Sequence, residues 1–337
     1  MILPIRLPLA TPLPGALLWL SIGLLEMIGM TDSNMQSKLT ILRTPEERFA
    51  NLVEYPFQPH YTELKAGSQT VRMHYVDEGQ GEVLLMLHGE PTWSYLYRKM
   101  IPLFVKEGYR VVAPDLIGFG KSDKLANPTD YSYKLHVDFV TQFVEQLRLN
   151  GITLVCQDWG GLLGLRVAAE NEALFARIAA SNTGLPVGSP LGPGFQQWHD
   201  FSQRVPELPI GFIVQSGSQT KLSPEVIAAY ESPFPEERYK AAARVFPTLV
   251  PVDPGDPAVP DNQKAWDVLR QWKKPFLTSF SDGDRVTQGA EKPFQRDVPG
   301  AKGQPHTIIV GAGHFVQEDK GEEWARLILE WLKGLKP

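Results

Sequence analysis

Apolar and polar residues follow two periods along this chain. Val71-Arg-Met-His-Tyr-Val76 alternates with period two, the mark of a strand with one buried face. Val83-Leu-Leu-Met-Leu87 is a continuous apolar run of strand length, as expected where both faces of a sheet are covered. Similar short runs at Tyr109–Ala113, Ile152–Cys156, Arg177–Ser181, Phe276–Phe280 and Thr307–Val310 predict further strands. Between them the apolar positions recur with a helical period: in a stretch reaching Lys106, from Leu135 to Leu149 with a stop at Gly151, from Gly160 to Ala169, and from Glu322 to Leu332. Strands and helices that alternate at this spacing form βαβ units, and hence an α/β fold with a mostly parallel central sheet flanked by helices.

The alternation breaks over residues 184–261. That stretch is rich in proline and glycine yet holds amphipathic pieces at Pro224–Tyr230 and Pro235–Phe246. A structureless loop of this length is improbable in a compact domain, so a helical cap over one end of the sheet is predicted. The main domain is then expected in two pieces, 35–183 and 262–337.

Residues 1–34 differ from the rest. The apolar run Gly15–Leu25 is eleven residues long, whereas about 20 are needed to span a bilayer. As a signal peptide it has only Arg6 before the run, Glu26 just after it and no A-x-A site. The segment is read as an N-terminal extension, either signal-like or upstream of a true start at Met30 or Met35.

Composition narrows the functional class. With 33 Lys+Arg against 38 Asp+Glu, a net charge of −5, and no basic stripe, the chain lacks the electrostatic footprint of a nucleic-acid binder. A single cysteine excludes an intrachain disulfide and a CxxC site and suits a reducing compartment, so a cytoplasmic monomer is expected, with export as the alternative. No metal ligand set at sensible spacing is found, and no cofactor is called for. Gly118-Phe-Gly-Lys-Ser122 fails as a phosphate loop because the first glycine would fall at Asp115.

The strongest local motif is Cys156-Gln-Asp158-Trp-Gly160-Gly161, where a predicted strand gives way to a helix. Small residues two before and two after a central residue allow the sharp turn that projects a nucleophile above a sheet. Asp158 could equally be a helix N-cap. Two later segments decide between these: Phe280-Ser-Asp-Gly-Asp284 and Val310-Gly-Ala-Gly-His314 each follow a predicted strand. Nucleophile, acid and histidine in that order, each past a strand end, is the α/β-hydrolase arrangement. Asp284 matches the expected position of the acid, and Asp282 is left possible.

His88-Gly-Glu-Pro-Thr-Trp93, Pro114-Asp-Leu-Ile-Gly-Phe-Gly-Lys-Ser-Asp123, Gln157-Asp-Trp-Gly160 and Gly313-His-Phe-Val-Gln-Glu318 together resemble the haloalkane dehalogenases, from about Leu39 to the C-terminus. Cys156 departs from the aliphatic residue usual in that family. The resemblance implies an α/β-hydrolase fold with the cap inserted after the sixth strand, and hydrolysis of small apolar haloalkanes to an alcohol, a halide ion and a proton. It implies Asp158 as nucleophile, His314 as general base, Asp284 as triad acid, and Trp159 with the cap residue Trp198 as halide donors. The backbone N–H groups of Glu90 and Trp159 would form the oxyanion hole, the Glu90 side chain being an alternative acid. The residue types suit this chemistry, because a carboxylate is ionised near neutral pH and attacks carbon without a base. An indole N–H donates without accepting and brings apolar bulk. Phe195, Phe201, Phe212, Ile213 and Phe246 are expected to line the cap side, with His88 and His199 in no chemical role. The rival enzyme is an epoxide hydrolase, which would need Tyr230 or Tyr239 of the cap as proton donors; a non-catalytic binding protein of this fold would have lost triad members.

Overall fold

The structure is a computed structural model and describes residues 38–335; the expected extension 1–34 lies outside the described residues. Eight strands form one sheet: β1 His60–Ala66, β2 Gln69–Gly79, β3 Val83–Leu87, β4 Arg110–Pro114, β5 Ile152–Gln157, β6 Phe175–Ser181, β7 Phe276–Ser281 and β8 Thr307–Ile309. Their order in space is β1-β2-β4-β3-β5-β6-β7-β8, with only β2 running against the others. Every residue of β3 and β5 is buried, which is why these strands read as unbroken apolar runs. β1 has no counterpart among the predicted strands. It is an edge strand of sequence HYTELKA in which only Leu64 and Ala66 are buried, too few for a period-two signal.

Helices cover the sheet. They include α1 Ile101–Lys106, α2 Tyr133–Gln146 and α3 Trp159–Glu170 before the inserted segment. Ser132 caps α2 by accepting from the Leu135 N–H at 3.2 Å, and the chain leaves it toward Gly151, where φ is +59°. Six strands of the sheet precede the insertion, which carries α4 Pro193–Arg204, α5 Ile210–Ser216, α6 Pro224–Glu231 and α7 Ala241–Val245. The expected amphipathic piece 235–246 is a tight turn at Glu237–Lys240 followed by α7.

The expected cap limit at 261 falls inside a continuous helix, α8 Val259–Leu269. Asn262 of α8 accepts from Arg166 of α3 at 3.0 Å, so this helix packs with the layer that covers the sheet. α9 Glu291–Asp297 and α10 Val316–Gly334 complete the fold, α10 beginning six residues before the predicted Glu322 and bending at Lys320. Among the described residues, no helix is long and apolar enough to cross a membrane.

The strand order places the site. β3 lies between β4 and β5, so the chain leaves β3 toward one edge and returns past it to build the other. In such sheets a crevice opens beyond the carboxyl ends of the strands at the point of reversal. The segments following β3, β5, β7 and β8 are those carrying Glu90, Asp158, Asp284 and His314.

Candidate active site

β5 ends at Gln157 and α3 begins at Trp159, leaving Asp158 alone to make the turn, with φ +51° and ψ −130°. Such a conformation costs an L-residue on the order of 1–3 kcal/mol and persists only where its surroundings impose it. Here they do. The Asp158 N–H donates to Asn182 O at 3.0 Å, and its carbonyl accepts from Gly161 N–H at 2.8 Å and Thr183 Oγ1 at 2.7 Å. Neighbouring glycines allow the approach: a Cβ on Gly160 would lie 1.9 Å from Leu87 O, and one on Gly89 would lie 2.1 Å from Asp158 Oδ1. Gly160→Ala is therefore expected to destabilise the protein by about 1–3 kcal/mol, since the obstacle is backbone and cannot swing aside. A melting temperature equal to wild type would contradict this account of the elbow.

The side chain of Asp158 makes no capping hydrogen bond to α3. Its Oδ1 accepts from the Glu90 backbone N–H at 2.8 Å, and its Oδ2 lies 3.3 Å from His314 Nε2. His314 Nδ1 lies 3.1 Å from Asp284 Oδ1. Asp284 in turn accepts from the Val286 N–H at 2.8 Å and from the Thr287 hydroxyl, which fixes its carboxylate. Asp282, the other candidate acid, turns away: its Oδ1 accepts from the Gly311 N–H at 2.9 Å. Of the two aspartates left open by the sequence, Asp284 is thus the one that reaches the imidazole.

Burial opposes the charge on each of these groups, and their mutual attraction overcomes it. Burial disfavours an imidazolium at His314, yet Asp284 and Asp158 raise its pKa to about 10. Burial likewise works against the Asp284 carboxylate, but His314, Thr287 and the Val286 N–H hold it at about 2. Glu90 has no such partner. Its side chain is buried, Oε1 has no hydrogen-bond partner, and burial followed by the Asp158 charge pushes its carboxyl well above the usual range.

Two chambers share Asp158 in their lining. The larger, about 340 Å³, is lined by Asp158, Glu90, His314, Trp198 and Val286, with Phe201, Phe212 and Ile213 toward its mouth. The smaller, about 70 Å³, shares Asp158, Glu90, Trp198 and Val286 and adds Trp159, Leu162, Thr183, Phe195 and Pro247. Both candidate indoles border the small chamber, and among the described residues neither indole N–H has a hydrogen-bond partner. Those of Trp93, Trp266 and Trp331 are taken up by Ala229 O, Leu185 O and Gln304 Oε1, while those of Trp272 and Trp324, also without a partner, are buried and border neither chamber. As the first residue of α3, Trp159 also has a backbone N–H that the helix leaves free.

Phe246, expected to line the site, instead packs behind Trp159, with ring centroids 4.5 Å apart and no exposure. Leu162, Thr183 and Val286 line the chambers without any sequence signal that singles them out, and Phe315, which lines the larger one, lies in the Gly313–Glu318 motif but has no expected role there. His88 is buried and bonded on both nitrogens, to Gly89 O at 2.8 Å and from the Leu116 N–H at 2.9 Å, while His199 lies beside Asp200 on the surface of α4. Neither Tyr230 nor Tyr239 borders either chamber; the Tyr230 hydroxyl donates to Glu318, which also holds Arg98.

A sheet of this order, with a carboxylate on its elbow, defines an α/β hydrolase, and residues 82–212 match the family model described as the alpha/beta hydrolase fold. The chain belongs to the haloalkane dehalogenase family. It is 53% identical over 298 residues to a haloalkane dehalogenase of Psychrobacter cryohalolentis, covering 87% of this chain and 98% of that one. It is 49% identical to one of Mycobacterium marinum, covering 87% and 100%. A tetrameric haloalkane dehalogenase from Paraglaciecola agarilytica has a similar structure, with TM-score 0.82 and 38% identity over 88% of this chain and 99% of that one.

Proposed function

We propose that this protein hydrolyses carbon–halogen bonds of small haloalkanes, giving a primary alcohol, a halide ion and a proton through an alkyl ester on Asp158. The observation that carries the reading is that Asp158 lines both a small chamber bordered by Trp159 and Trp198, whose indole N–H groups have no partner among the described residues, and a larger one bordered by His314. Carboxylate oxygen attacks the carbon; the bond to halogen breaks; the departing halide gathers negative charge where Trp159 and Trp198 can donate to it in a largely dry space.

Hydrolysis of the ester needs a base. His314 has a raised pKa while Asp158 is a carboxylate, but esterification removes that charge and with it part of the hold on the imidazole proton. His314 can then accept a proton from water, with Asp284 bonded to Nδ1 and stabilising the cation that forms. The tetrahedral oxyanion would accept from the N–H groups of Glu90 and Trp159, the first of which already donates to Asp158 Oδ1. The N–H route is favoured over an acidic role for the Glu90 side chain. No metal or organic cofactor enters these steps.

The inserted segment, proposed as a cap over 184–261, supplies Trp198 and the apolar mouth. Trp198→Phe removes one donor and keeps the ring bulk; it is expected to weaken bromide binding about tenfold, the value of one hydrogen bond to a charged group. Quenching of tryptophan fluorescence by bromide measures this, and an unchanged affinity would remove Trp198 from the halide site. A cytoplasmic location is proposed on the single buried cysteine. A monomer is proposed too, with a tetramer as the alternative raised by the Paraglaciecola relative; sedimentation distinguishes them.

The deciding experiment incubates purified protein with 1-bromobutane or 1,2-dibromoethane and follows bromide release together with acidification. Steady release of both is expected. Turnover of styrene oxide with no halide released from any substrate would replace this reading with the epoxide hydrolase.

A further inference from the structure

Gln157 directly precedes the nucleophile, is fully buried, and has no part in the steps above. Its side-chain nitrogen lies 3.1 Å from His314 Nε2 and 3.1 Å from the carbonyl oxygen of the same histidine. These contacts fix the amide. A carbonyl can only accept, so the group facing His314 O must be the NH2, and its second hydrogen then points to Nε2. Turning the amide over would set its oxygen against the His314 carbonyl.

His314 Nε2 therefore has two neighbours of opposite demand. Asp158 Oδ2 at 3.3 Å favours a proton on Nε2, and the Gln157 N–H favours a lone pair there. We propose that Gln157 is a positioning residue for ester hydrolysis: its N–H beside His314 Nε2 disfavours a proton there before hydrolysis, keeping the imidazole in the Nδ1–H form, and gives up the lone pair to the attacking water as Nε2 takes the water proton. This rests on the hydrolytic reading of the site.

In the resting protein three carboxyl groups face the imidazole: Asp158 from the elbow after β5, Asp284 from the loop after β7 and Glu90 from the turn after β3. Once Asp158 is an ester its charge is gone, Gln157 is left as the neighbour that opposes protonation at Nε2, and the base is released when it is needed. The same amide, through the His314 carbonyl, ties ring and backbone of the histidine to one point on β5.

The test is pre-steady-state turnover of 1-bromobutane across pH, with bromide reporting ester formation and butanol reporting hydrolysis. In Gln157→Met, which keeps length and loses the donor, the bromide burst is expected within about threefold of wild type. Hydrolysis is expected to slow about tenfold near pH 7, with the acid-side limb of its pH profile displaced upward by about one unit, the equivalent of that factor. Gln157→Glu is nearly isosteric and exchanges the donor for an acceptor, so it should move the limb further in the same direction, and it tests the same point if Gln157→Met does not fold. A limb unmoved in either variant, with only a lowered melting temperature, would overturn the proposal and leave Gln157 as packing. Absence of bromide release from the wild type would instead overturn the dehalogenase reading itself.

Discussion

His314→Gln is expected to release about one equivalent of bromide per enzyme molecule and then stop. In the proposed mechanism attack by Asp158 needs no base, because a carboxylate attacks carbon without one, and one of its oxygens is held by the Glu90 N–H at 2.8 Å. In that mechanism only the second step, removal of a proton from water, uses the imidazole. Loss of a general base costs about 10²–10⁴ in rate, so hydrolysis becomes slow enough for the alkyl ester to accumulate. After digestion, the peptide carrying Asp158 should be heavier by one butyl group when 1-bromobutane is the substrate. Continued turnover at the wild-type rate, with no modified peptide, would mean that the 3.3 Å approach of His314 to Asp158 has no part in hydrolysis.

Asp158→Ala is expected to abolish both phases. No burst and no turnover should remain, a loss on the order of 10⁴ or more, because among the described residues the one other carboxyl bordering the chambers is that of Glu90, whose backbone N–H and not its side chain meets Asp158. Asp284 is taken up by His314 and Thr287, and burial followed by the Asp158 charge pushes the Glu90 carboxyl well above the usual range. Removing Asp158 lifts part of that restraint on Glu90, so the variant also asks whether a freed Glu90 carboxylate can act. Bromide binding offers the folding control: with the repelling carboxylate gone, quenching of Trp159 and Trp198 by bromide should be at least as strong as in wild type. Residual turnover within tenfold of wild type would sink the covalent mechanism whatever the substrate.

Much of this site is legible in the order of residues alone. The continuous apolar runs at Val83–Leu87 and Ile152–Cys156 mark strands covered on both faces, and they are the buried β3 and β5. Gly160 and Gly161 announce a turn too tight for side chains, and the elbow does form there, with Leu87 O and Thr183 Oγ1 where a Cβ would stand. β1 escapes such a reading because an edge strand with one solvated face carries little apolar signal. The expected cap limit at 261 falls inside α8, whose Pro260 stands in the first turn, where a helix tolerates proline.

The sequence by itself determined the local events: which segments apart from β1 are strands, where the chain must turn sharply, and which ionisable residues follow the strand ends. These depend on periodicity and turn chemistry within a few residues. Only the tertiary structure decided between Asp282 and Asp284, moved Phe246 behind Trp159, and set Gln157 against a histidine 157 positions away. Those outcomes depend on strand order and on the direction of each side chain at a shared sheet edge, quantities that no local pattern of residues encodes.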